Sequence, residues 1–73
     1  MHPIRAEVTG SVWKVLKAAG EAVAVGDEIL LIESMKMEIP VVAERAGRVH
    51  AVLVKEGEPV REGQVVAEVA PQG

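Results

Sequence analysis

The chain has 73 residues, 49% of them hydrophobic, a formal net charge of −3, no cysteine and one aromatic residue, Trp13. These figures exclude disulfides and thiolate chemistry, leave too little core to enclose a typical small-molecule pocket, and give nucleic acid no basic, aromatic footprint, since the eight Lys and Arg are scattered singly. No apolar stretch reaches the roughly 20 residues of a membrane span, and Met1-His2-Pro3-Ile4-Arg5 lacks the apolar core of a signal peptide, so a cytoplasmic protein that does not engage a membrane is expected.

Taken in chain order, the elements read as strands, because 22 residues are Val, Ile or Leu, 14 of them Val, and they come in short runs broken by Gly. The candidate strands are Ile4 to Val8, Ser11 to Leu16, a short pairing at Ala22-Val23, then Glu28 to Glu33, Met37 to Ala43, Arg48 to Val54, a short pairing at Pro59-Val60, and Val65 to Val69. Turns are expected at Gly10, Gly20, Gly26, Gly47, Gly57 and Gly63, where glycine supplies positive φ.

Those glycines are related by a shift of 37 positions, which lays Gly10, Gly20 and Gly26 on Gly47, Gly57 and Gly63. Over 6–33 against 43–70, the same shift matches ten of 28 positions, among them Val12 with Val49 and Glu21 with Glu58. Neither half can bury an apolar face alone, so the two must pack together. The expected fold is all-β: a flattened barrel or sandwich of two antiparallel sheets with pseudo-two-fold symmetry, residues 1–73 forming one domain.

Between the halves lies Ser34 to Val42, a segment without a partner under the shift, with a hairpin tip at 34–38. A hairpin joining Glu28 to Glu33 with Met37 to Ala43 makes Lys36 its outermost residue, at the opposite end from the chain termini. Turn chemistry does not predict it, because two-residue turns favour Asn-Gly or Gly-rich pairs and Met35-Lys36 is poor at positive φ. A broken local rule of this kind marks a candidate functional site.

Glu33-Ser34-Met35-Lys36-Met37-Glu38 resembles the attachment motif of the biotinyl/lipoyl attachment family, in which the lysine of Met-Lys-Met is biotinylated. The Gly-rich repeat and the Gly57-Glu58-Pro59-Val60 turn extend the resemblance over nearly the whole chain, and it is nearest to the small free-standing biotin carriers. The resemblance implies two four-stranded sheets, covalent biotin on Lys36, loading by a biotin protein ligase, and carriage of CO2 from a biotin carboxylase to a carboxyltransferase. Met35 and Met37 are then flexible apolar contacts for a transient partner, and Glu33 and Glu38 are solvated flanks or recognition determinants. The lipoyl domain, whose lysine usually follows Asp, is the alternative carrier, and an unmodified binding module of the same fold is the other. Lys17-Ala18-Ala19-Gly20 leaves no room for the thumb that some biotinyl domains carry. Because Met1 opens the chain and the domain fills it, a free-standing small subunit, monomeric in isolation, is expected.

Lys36 is not a poised nucleophile. A lysine amine is protonated in neutral water, and an exposed tip beside Glu33 and Glu38 offers neither the desolvation nor the nearby cation that would activate it. No catalytic residue is therefore assigned, and the partners supply the chemistry. Ser34 lacks the Asp-Ser context and helical bundle of a phosphopantetheine carrier. His2 and His50 stand far apart with no Cys or third ligand, so no metal site is expected. Trp13, which aligns with His50 in the repeat, reads as an outward-facing or seam residue.

Overall fold

The computed structural model describes residues 1–71 and contains, among them, eight strands and no helix. They are β1 (His2–Arg5), β2 (Gly10–Val15), β3 (Ala22–Val23), β4 (Glu28–Ser34), β5 (Met37–Val42), β6 (Gly47–Val52), β7 (Pro59–Val60) and β8 (Val65–Pro71). They pair antiparallel into two four-stranded sheets ordered β1-β8-β6-β3 and β5-β4-β2-β7. Alternating side chains put one face of each sheet on a shared aliphatic core, where Ile29, Leu30, Ile32, Val66 and Ala67 are fully enclosed. Among the described residues no polar or charged side chain is buried.

Moving by 37 residues carries β2 onto β6, β3 onto β7 and β4 onto β8, end for end, and places β1 within β5. The same exchange turns one sheet order into the other, which is the expected pseudo-two-fold symmetry. It also corrects the reading of Ser34 to Val42 as unpartnered: residues 39–42 are the counterpart of β1, with Pro3 and Pro40 equivalent. Both prolines sit in edge strands, where a missing N–H costs no ladder hydrogen bond. The first strand thus runs His2–Arg5 rather than from Ile4 to Val8. Beyond Arg5 the chain leaves the ladder to tie into a turn: Ala6 N–H donates to the Gln64 carbonyl at 2.9 Å, and Gly63 N–H donates to the Ala6 carbonyl at 2.8 Å.

The six expected turn glycines divide by conformation. Gly20, Gly26, Gly57 and Gly63 have φ of +95°, +91°, +89° and +88° and form four turns of one design. In each, the residue after Gly donates its N–H back across the turn, as Asp27 does to the Ala24 carbonyl at 3.0 Å, while its side chain accepts the first residue's N–H, as Asp27 Oδ2 does from Ala24 at 2.8 Å. Glu21, Glu58 and Gln64 repeat the arrangement. Gly10 and Gly47 do not turn the chain; they open β2 and β6. A Cβ on Gly10 would lie 2.2 Å from the Glu33 carbonyl oxygen, and one on Gly47 would lie 2.1 Å from that of Ala70. Their glycine is required for close backbone approach rather than for positive φ.

Candidate functional site: the β4–β5 hairpin

The segment that ends in Lys36 is the longest ladder of its sheet. Its register runs Leu30 with Val41, Leu31 with Pro40, Ile32 with Ile39, Glu33 with Glu38 and Ser34 with Met37. Burial of Leu30, Ile32 and Val41 fixes that register, since a one-residue slip would turn the whole inward set to solvent. Only Met35 and Lys36 remain outside the ladder, with φ of 53° and 65°. Two consecutive residues at positive φ make a type I′ turn, whose twist matches that of the strands it joins. Neither residue is Gly, Asn or Asp, so each carries a left-handed conformation at a cost of about 1–2 kcal/mol.

Lys36 is exposed at this apex, and among the described residues its ammonium makes no ion pair or hydrogen bond. Met35 is 92% exposed and Met37 64% exposed, so Met37 lies in solvent although it shares strand parity with Ile39 and Val41. Glu33 and Glu38 are exposed and face each other directly across the ladder. Like charges in that relation are mildly destabilising, and the expected flanks are therefore kept at some expense to the hairpin.

Gly10 belongs to the site although sequence reasoning gave it to a turn. It packs under the Glu33 carbonyl and beside Ile32 Cγ2, so the body of the fold supports the hairpin from below. Its pairing with Gly47 in the repeat was the available signal. Trp13 is 41% exposed and forms a bulge between Val12 and Lys14, with Lys14 Nζ 5.5 Å from its ring centroid. His50 takes the equivalent bulge in β6 and is exposed. Ser34 is half-buried at the last ladder pair.

His2 Nε2 donates to the Glu44 carboxylate at 2.8 Å. The two histidines fall on different strands, and among the described residues no group of three potential metal ligands exists. A groove of about 350 Å³ runs between β1 and β5, lined by His2, Ile4, Arg5, Val41 and Glu44, and it includes none of Met35, Lys36 and Met37. What the site offers is thus a primary amine held clear of the body, suited to covalent attachment and not to enclosing a free ligand.

A family model described as biotin-requiring enzyme, for biotin and lipoyl attachment, matches residues 2–69. The chain is 47% identical over 64 residues to a biotin/lipoyl attachment protein of Bacillus subtilis (strain 168), covering 88% of each. It is 42% identical over 67 residues to a biotinylated protein TB7.3 homolog of Mycobacterium leprae (strain TN), covering 92% of this chain and 94% of that one. Among solved structures, urea carboxylase of Kluyveromyces lactis superimposes with a TM-score of 0.91 at 38% identity, over 94% of this chain and 6% of that much longer one.

Proposed function

This chain belongs to the biotin/lipoyl attachment family, and on that footing we propose that it is a non-catalytic biotin carrier in which Lys36 takes biotin in amide linkage. The observation that carries the reading is the exposed Lys36 at a type I′ apex between two exposed methionines, on a hairpin whose register the core dictates. An amine in that position fits a covalently held group, and the groove between β1 and β5 does not include it.

The hairpin presents the Lys36 amine and the partners do the rest. A biotin protein ligase brings the biotinyl adenylate and the base. Lys36 Nζ, relieved of its proton there, attacks the acyl carbon, AMP leaves, and an amide remains. Met35 and Met37 offer polarisable apolar contact to the visiting enzyme, with the Glu33–Glu38 pair as a recognition mark. The bound group supplies a ureido nitrogen able to carry a carboxyl group. The lysine stem and acyl chain form a tether of about ten bonds that reaches on the order of 14 Å from the backbone. Lys36 thereby raises the local concentration of the carried group at each docked partner in turn. Those partners are a biotin carboxylase and a carboxyltransferase, a reading supported by the likeness to urea carboxylase. Methionine on both sides of Lys36 favours biotin over lipoate.

The test is intact mass after co-expression with a biotin ligase and free biotin. A gain of about 226 Da that Lys36→Ala abolishes is expected. No gain, or a gain of about 188 Da with a lipoate ligase only, would replace biotin by lipoate or by no modification.

A further inference from the structure

All three methionines of the chain stand in solvent: Met1 at 66%, Met35 at 92% and Met37 at 64% exposure. Methionine is ordinarily among the residues most often enclosed, yet here the buried core is built from Ile, Leu, Val and Ala alone. Two of the three thioethers flank Lys36. Contact with a visiting enzyme accounts for their exposure, and that exposure leaves both thioethers open to oxidants.

The group that Lys36 is proposed to carry has a thioether of its own, in the ring fused to the one that holds the ureido nitrogens. A thioether tethered to the same tip as two others of its chemical class competes with them for any oxidant that reaches the tip. We propose that Met35 and Met37 are a sacrificial oxidation site, taking up two-electron oxidants of the peroxide or hypohalite class before these reach the sulfur of the group on Lys36. With hydrogen peroxide, the O–O bond breaks and one oxygen forms a sulfur–oxygen bond. The thioether is oxidised to a sulfoxide, the peroxide is reduced, and water leaves. With hypochlorous acid, the sulfur gains the same oxygen while chloride and a proton leave. The sulfoxide so formed is the product that methionine sulfoxide reductases reverse, so the site can be renewed.

Geometry favours the pair as targets. Neither side chain packs into the core, so oxidation leaves the aliphatic interior intact, and both residues adjoin Lys36 in the chain at the exposed apex. Met1, at the far end of the fold from the tip, serves as a reference thioether of similar exposure.

This inference rests on the proposed attachment of biotin to Lys36, and the experiment separates the two. Wild type and the Met35→Leu/Met37→Leu variant, whose contact with the ligase is altered, are each treated with excess biotin ligase until chains carrying the additional mass of about 226 Da can be purified. Equal amounts of the loaded chains are then treated with limiting hypochlorous acid. Peptide mass mapping then reads the 16 Da oxygen increment on Met1, on Met35 and Met37, and on biotinyl-Lys36. In the wild type most of the increment is expected on Met35 and Met37, and in the variant the fraction of biotinyl-Lys36 oxidised should rise about two- to threefold, as two of the three thioethers at the tip are gone. An equal fraction in the two proteins would overturn the inference while leaving the carrier function intact. Failure of the wild type to gain the biotinyl mass would overturn the carrier reading itself.

Discussion

At the scale of single residues, the tip is where this chain departs from what stability alone would select. Met35 and Lys36 occupy positive φ that glycine would adopt freely, and Glu33 opposes Glu38. Lys36→Gly should therefore stabilise the fold by about 0.5–1 kcal/mol, the strain relieved minus the entropy a glycine adds to the unfolded chain. Urea denaturation would read it as a higher midpoint with unchanged slope, in a protein that no longer accepts biotin. A lower midpoint would mean that the left-handed tip carries little strain. The proposed attachment point could be named from the sequence because Lys36 lies between methionines at the junction of a repeat. Exposure could not be read there for Met37, whose alternation with Ile39 and Val41 left burial open. The ladder ends at that pair, beyond the last core residue, so Met37 has nothing to pack against.

At the scale of elements, seven of the eight strands fall within two residues of where hydrophobic runs and glycines place them. The first does not: it begins at His2, takes in Pro3 and ends at Arg5. Only the sheet order, unavailable from sequence, makes β1 an edge strand that tolerates Pro3. Glycine function was equally hidden: positive φ at Gly20 and close approach at Gly10 look the same as letters. They differ as substitutions. Gly10→Ala brings a methyl group within 2.2 Å of the Glu33 carbonyl oxygen. It should cost about 3 kcal/mol or more, since backbone must move. Gly20→Ala meets no atom within 4 Å and carries only its φ of +95°. A cost of about 1–2 kcal/mol is expected there. Denaturant midpoints of the two variants should rank in that order, and the reverse ranking would remove Gly10 from its role beneath the hairpin.

At the scale of the whole molecule, the halves are interleaved rather than side by side. Each sheet takes two strands from either half, so β1 and β3 lie in the sheet whose centre is β8 and β6. A fragment of residues 1–36 is left with β2 and β4 as its one intact pairing, and its enclosed side chains, Ile29 and Leu30 among them, lose their covering sheet. Such a fragment should show no cooperative thermal transition by circular dichroism, and mixing it with residues 37–73 should restore one. A fragment that melts cooperatively alone would contradict the interleaving.

The repeat has a further meaning. Because the 37-residue exchange places the strands of one sheet on those of the other, the fold has solved the same packing problem twice. Where the two solutions differ on an outward face, the architecture did not require the difference. Leu31 stands where the other sheet has Glu68, Trp13 where it has His50, and Glu33 where it has Ala70. In each pair the first residue lies on the sheet that bears Lys36 and the second on its counterpart. The molecule thus contains its own reference surface, against which the outward residues of the Lys36-bearing sheet are those that shared packing leaves free to vary.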